Sequence, residues 1–326
     1  MQRIHQCGAE PALEPARAMP GVDRSRRLAW GSLLALLLLW CVPLSGAAAP
    51  RTVVVSVEPL AMVLRPLYGE RAMVVALLAP NQSPHHPMLS PRQMLTLRQA
   101  DLLVWLGADA EPAMAALVAK RRGASVALLD LPGITRGRGH QDHHDHADGD
   151  ADQAGHAHHT QDPGLDPHLW LDPDNMAALA RALDEREGDA LAAGQPAAFL
   201  DALARAERLV RAELAPVRQV PWLTYHQPWA YFQHHFGLHD AVIVSEQLGA
   251  GPSSRHFVAL AEATRRQGVT CALVEPEAQV DLLRRLCPAC RLQPLDPLGR
   301  DHAGATYDVW LVQVAQAFRE CLAGGQ

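Results

Sequence analysis

From residue 52 onward, short apolar runs alternate with longer stretches of mixed polarity. β-branched or apolar runs fall at 52–57, 73–79, 102–106 and 125–130, with helix-like stretches at 59–68, 91–100 and 111–121 between them. A second series has strand-like runs at 222–225, 241–245, 270–274 and 291–295, separated by helix-like stretches at 228–236, 253–267 and 279–286. A last helix-like stretch, 307–321, closes the chain. Strands alternating with helices of this length predict mostly parallel sheets with helices on both faces. Two such series predict two similar Rossmann-like α/β lobes, at 50–172 and 219–326.

Residues 173–218 lie between them and are rich in Ala and Leu. Phe199, Leu200, Leu203, Leu209, Val210 and Leu214 fall at helical spacing. Pro196 suits a first helical turn and Pro216 a stop. A helix of about twenty residues spans roughly 30 Å, about one lobe's diameter. The pattern fits a stiff rod joining two lobes, or a helix packed inside one larger domain.

The first 49 residues read as a secretory leader. Arg24, Arg26 and Arg27 precede an apolar run over 33–42, and small residues follow at 45–49. That is the n-, h- and c-region order of a signal peptide, with cleavage expected near Ala47 to Ala49. The run is shorter than the ~20 residues a bilayer-spanning helix needs. Trp40 before Cys41 is too bulky for a lipidation site. The long stretch before Arg24 makes Met19 a second candidate start. Export places the mature chain in an oxidising compartment.

Composition adds little to the fold and more to the partners. The chain has 326 residues, 29 basic and 35 acidic, for a formal net charge of −6. This balance argues against nucleic acid and suits a soluble protein that attracts cations. Cys271, Cys287, Cys290 and Cys321 remain after the leader, an even number in an oxidising compartment. They allow three pairings. Cys287-Pro-Ala-Cys290 reads as a redox pair, half a zinc site or a small disulfide. No second CxxC completes a zinc ribbon, so two structural disulfides are expected.

The densest chemistry is in 139–160. Seven of the chain's 17 histidines lie there: His140, His143, His144, His146, His156, His158 and His159. With almost no large apolar residue, this loop cannot offset the entropy of ordering. His-rich tracts signal metal contact, but a disordered one offers many alternative ligand sets and binds weakly. A tight site needs ligands on rigid elements. Four positions stand out: His85 in "APNQSPHHP" just after the second strand, His168 in "DPHLWLDP" directly after the His-rich loop, and His226 in "WLTYHQPW" and Asp296 in "LQPLDPLG" at strand ends. In open parallel sheets, ligands bind outside the carboxyl ends of the strands. Two candidates come from each lobe. Three imidazoles and a carboxylate suit tetrahedral Zn(II), whereas manganese prefers more oxygen ligands. His86, His234, His235, His239, His256 and His302 read as surface residues or as supports behind the ligands. Asp296 reads equally well as the cap of the turn before Pro297.

Taken together and in order, "NQSPHHPMLSPRQMLTLRQADLLVWLGADAE", "DPHLWLDP", "TYHQPWAYFQHHFGL", "VEPEAQ" and "LDPLG" resemble the zinc-binding proteins of zinc/manganese ABC importers, the ZnuA-like proteins. The resemblance runs from about Val53 to Leu322. It implies two α/β lobes joined by a long helix, with one ion in the cleft between them. The family's motif histidines fall on His85, His168 and His226, and its fourth position on Asp296. His226 in place of an acidic residue implies zinc rather than manganese. The resemblance also implies a Cys271–Cys321 bridge, which leaves Cys287 to pair with Cys290. That CxxC, and His86 beside His85, depart from the family pattern. The implied function is capture of Zn(II) in the periplasm by a monomer, and delivery to a membrane permease served by a separate ATPase. A periplasmic zinc chaperone is a further implied partner, with the His-rich loop as receiver. Nothing in the chain resembles GxxxxGK[ST], so it is not the ATPase. Two rival classes share the ligands: a secreted zinc hydrolase, and a zinc buffer or adhesin without a transporter. The hydrolase would need an open coordination position and a base. There is no HExxH, and a structural role suits both Glu246 and Glu275 better.

Overall fold

The computed structural model describes residues 51–79, 82, 88–137, 164–245 and 251–324. The leader, His85, His86, all seven histidines of 139–160 and Glu246 lie outside the described residues. Those from Arg51 onward belong to one compact unit.

The first half builds β1 (Arg51–Val55), α1 (Glu58–Tyr68), β2 (Ala72–Ala76), α2 (Pro91–Gln99), β3 (Leu102–Trp105), α3 (Pro112–Val118) and β4 (Ala124–Ala127). Two helices follow, α4 (Pro173–Glu187) and α5 (Gln195–Leu214). The second half builds β5 (Trp222–Thr224), α6 (Ala230–Phe236), β6 (Ala241–Ile243), α7 (Ser254–Arg266), β7 (Cys271–Val274), α8 (Val280–Leu286), β8 (Arg291–Pro294) and α9 (Tyr307–Ala323). Both sheets are four-stranded and parallel, in the orders β2-β1-β3-β4 and β6-β5-β7-β8. The two-lobed parallel α/β architecture expected from the sequence is therefore present.

The strands read as unbroken apolar runs because both faces are covered. Val53, Val55, Leu102 and Val104 point into one core, while Val54, Leu103 and Trp105 point into another. In the second sheet, Trp222, Cys271 and Leu273 face the shared core, and Leu223 and Ala272 face a separate one. The shared core is continuous from α1 through α4, α5 and α9 to the inner face of the second sheet. Phe318 of α9 sits in it, its ring 5.2 Å from Trp222 and 5.1 Å from Phe232. Each fully buried side chain of this size stabilises by roughly 1.5–3 kcal/mol.

Element starts follow their capping residues. Ser90 and Gln93 form a reciprocal capping box at α2, and Asp172 caps α4 with Pro173 in its first turn. Gly237 closes α6 in the left-handed region, at φ 67°. Two expectations needed correction. The run 125–130 is not all strand: after β4 the chain tightens into a 3₁₀ turn at Leu128–Asp130, where the Leu129 N–H turns to the Leu106 carbonyl. Leu209 is 60% exposed. The buried stripe of α5 is Phe199, Leu203, Ala206, Val210 and Leu214, and at 3.6 residues per turn Leu209 falls on its flank.

Among the described residues two disulfides are present, Cys271–Cys321 with Cα atoms 5.5 Å apart and Cys287–Cys290 with 5.2 Å. The first ties β7 to α9. The second closes the turn between α8 and β8.

Candidate metal centre

Strand order reverses between β1 and β3, and again between β5 and β7. Such points open a crevice at the carboxyl ends of the strands. His226 follows β5 by two residues. Its backbone carbonyl accepts from the Thr224 hydroxyl at 2.8 Å, and that hydroxyl is also 2.8 Å from Glu275 Oε1. Glu275, one residue beyond β7, is 1% exposed and lies 3.2 Å from His226 Nδ1. It also accepts the His226 N–H at 3.3 Å. The switch point thus places a carboxylate directly behind the imidazole.

His168 is held differently. It precedes the 3₁₀ turn Leu169–Leu171, whose three side chains are all buried. Asp166 Oδ1 accepts the His168 N–H at 3.0 Å and lies 2.7 Å from its Nδ1. The Asn175 amide donates to Leu169 O and Thr135 O, and Asn175 Oδ1 accepts from Thr135 N–H, locking the turn to the segment after β4. Tyr307 donates to the Trp170 carbonyl, and Trp170 Nε1 donates to Pro297 O at 2.7 Å. That bond joins the His168 turn to the loop carrying Asp296.

Fifty-eight residues apart in sequence, the two imidazoles meet with centroids 5.3 Å apart and planes at 59°. Both are buried, at 4% and 6% exposure. In each, a carboxylate lies against Nδ1, where it can accept a hydrogen bond from the ring, so Nε2 is the atom that would meet a metal. A histidine backed by a carboxylate in this way is the usual arrangement of a metal ligand.

Asp296 is buried near the end of β8, with both oxygens engaged. Oδ1 accepts from Leu298 N–H at 3.1 Å and Arg300 Nη2 at 2.9 Å; Oδ2 accepts from Arg300 N–H and Nε, each at 2.8 Å. Arg300 also pairs with Glu277 at 3.2 Å and donates to the Gln82 carbonyl at 3.3 Å. Gln82 lies just before the segment containing His85 and donates to Met88 O beyond it. The structure thus brings His168 and His226 together and turns the Asp296 carboxylate to Arg300.

Sequence reasoning missed Asp166 as a support and left Glu275 with an unspecified structural role. Both sit inside motifs it had marked, "DPHLWLDP" and "VEPEAQ"; a carboxylate two residues before a candidate ligand was the available signal for Asp166. His235 is also more than a surface residue. With Asp172 and Asp174 it forms a grouping whose potential ligand atoms lie within 4.8 Å of one another. Its Nδ1 is 3.1 Å from Asp172 and its Nε2 3.2 Å from Glu207. Burial alone would lower its pKa, but the hydrogen bonds and charges of Asp172 and Glu207 outweigh burial and raise it to about 9. This grouping holds a proton at neutral pH and acts as an ion-pair clamp among α4, α5 and α6.

Comparison with known proteins gives the family. The family model described as "Zinc-uptake complex component A periplasmic" matches residues 53–321. The high-affinity zinc uptake system protein ZnuA of Paracoccus denitrificans (strain Pd 1222) is 28% identical, over 89% of this chain and 98% of its own. The protein of the same name from Yersinia pestis is 26% identical, over 89% and 96%. A crystal structure of a ZnuA deletion mutant with zinc bound superposes with a TM-score of 0.67 at 21% identity, covering 84% of this chain and 98% of that one. The family match spans most of the chain, and the chain belongs to the ZnuA family of zinc-uptake components.

Proposed function

We propose that the protein is the periplasmic, high-affinity zinc-binding component of an ABC importer. The observation that carries this reading is the buried meeting of His168 and His226, 5.3 Å apart, each backed by a buried carboxylate. The named relatives are zinc-uptake proteins, and the matched family is described as periplasmic. Residues 1–49 serve as the leader. The mature chain folds as lobes 50–172 and 219–326 with 173–218 between them. Zn(II) is the cargo.

The proposed ligand set is His85, His168, His226 and Asp296. Asp166 and Glu275 orient the two described histidines. Ligation by Asp296 would exchange its Arg300 contacts for the ion, so Arg300 is the counter-charge that faces this buried carboxylate. Asp296 as fourth ligand closes the shell, and Glu275 is engaged by Thr224 and His226, which suits transport better than hydrolysis. Captured zinc passes to a membrane permease driven by a separate ATPase. The histidines of 139–160 act as a weak auxiliary collector, raising local zinc concentration near the cleft.

The test is a zinc titration against a competing chelator on the mature chain, on one lacking 139–160, and on His168→Ala. The shortened chain should keep one tight equivalent and lose only weak ones, while His168→Ala should lose the tight one. Loss of tight binding with 139–160 would move the site into that segment and overturn the ligand set.

A further inference from the structure

We propose that Tyr231 is a positioning residue, joining the neck of the histidine-rich segment to the ligand His168. The inference rests on the zinc-site reading above.

The chain on either side of 138–163 is drawn together. Asp166 N–H donates to Gly137 O at 3.1 Å, so the backbone leaves and returns at one point. Tyr231, in the first turn of α6, reaches this point from the other lobe. Its hydroxyl accepts the Gly137 N–H at 2.7 Å and donates to the Asp166 carbonyl at 3.1 Å. One oxygen therefore holds both sides of the neck. Asp166 also holds the ligand, through its carboxylate on the His168 N–H and Nδ1. The position of the neck and the orientation of His168 are thus set by the same residue.

Two further observations support the assignment. Tyr231, Asp166 and His168 are 5%, 6% and 4% exposed, so water is a poor substitute for the lost hydroxyl. Gly137 is matched to the ring: a Cβ there would lie 3.0 Å from Tyr231 Cζ and 3.2 Å from its hydroxyl oxygen. Tyr231 also lies five residues after His226 on the chain leading out of β5. It is therefore tied covalently to one ligand and by hydrogen bonds to the support of the other. Contiguous buried contacts of this kind are a physical route for coupling two sites. Zinc bound or lost at His168 would be felt at the neck, and displacement of the neck would be felt at His168.

The test is a cycle of Tyr231→Phe and Asp166→Asn in the mature chain with 139–160 intact. Zinc affinity is read by chelator competition, and thermal stability separately. Loss of a support behind a ligand costs 10–100-fold in affinity. Asp166→Asn should fall in that range and Tyr231→Phe at its lower end, about tenfold. If Tyr231 acts through Asp166, the double variant will bind no more weakly than Asp166→Asn alone. A merely structural hydroxyl would lower thermal stability, leave zinc affinity unchanged and overturn the proposal. Additive losses would also overturn it. Should Tyr231→Phe not fold, Gly137→Ala carries the same cycle, because its methyl pushes the Tyr231 ring and hydroxyl off the neck without removing either. His168→Ala separates the two readings. If it keeps tight zinc, the site itself is wrong. If it loses tight zinc while Tyr231→Phe does not, the site stands and the neck linkage falls.

Discussion

The two lobes share a strand order and a crevice, and both place a buried glutamate near it, yet the two acids do different work. In the second lobe, Glu275 faces His226 and Thr224. In the first, Glu111 turns back on its own backbone and accepts the Leu106 N–H at 2.7 Å. Burial pushes the Glu111 carboxyl up to about 7, against the opposing pull of the Leu106 and Ser56 hydrogen bonds. A buried acid at a switch point positions a ligand only where the neighbouring strand end supplies a histidine. Elsewhere it becomes part of the scaffold.

The lobes also differ in how they are held. Among the described residues, both disulfides lie in the second half. The first half relies on α1, where every side chain from Pro59 to Leu64 is buried. One lobe is stapled and the other packed. The staple from Cys271 holds β7, the strand leading to Glu275.

The largest expected effect tests this second difference. Cys271–Cys321 closes a loop of sequence separation 50, and Cys287–Cys290 one of separation 3. In the chain-entropy account, the first contributes about 4 kcal/mol and the second about 2 kcal/mol. Paired serine replacements followed by denaturant unfolding should show that ratio. Equal losses would mean that strain or packing, rather than loop closure, decides what each bridge contributes.

A smaller effect tests the first difference. Glu275→Gln should weaken zinc binding 10–100-fold, as expected for a ligand's carboxylate support. Glu111→Gln should leave zinc affinity unchanged. A zinc defect from Glu111→Gln would show that the two crevices share the site's chemistry more evenly than the hydrogen bonds suggest.

The last tests are pH windows. Glu111 has a raised folded pKa, so its contribution is full below its ordinary 4.5 and lost as pH rises through about 7. Glu111→Gln should flatten the stability profile between those values. The His235 clamp behaves likewise at higher pH, full below 6.5 and lost through about 9. His235→Gln should flatten that window and leave the lower one intact. Melting temperatures across pH 4–10 would check both, and a change in the Glu111 window caused by His235→Gln would show that the two groups are coupled electrostatically.

Much of the fold was legible because apolar runs buried on both faces leave a plain record. The runs starting at Thr52, Leu102, Trp222 and Thr270 all appear as strands, shifted by a residue or two. The four cysteines were legible as two bridges because the resemblance implied one pair and left the other. Element ends were less legible. Leu129 turns back because a distant carbonyl, that of Leu106, takes its N–H, and no local pattern records that bond.

The sequence by itself determined the residue types able to bind zinc, the strand ends followed by His226 and Asp296, the motif that carries His168, and the parallel architecture. These follow from local chemistry and periodicity. Only the tertiary structure decided what stands behind each candidate ligand: Asp166 behind His168, Glu275 behind His226, Arg300 on Asp296, and Tyr231 at the neck. Three of these four contacts are local in sequence or join neighbouring strands, yet each depends on a side chain's direction in three dimensions. Tyr231 meets Gly137 across 94 residues. A buried polar group must find its partner wherever the folded chain brings one within reach, and periodicity does not encode that distance.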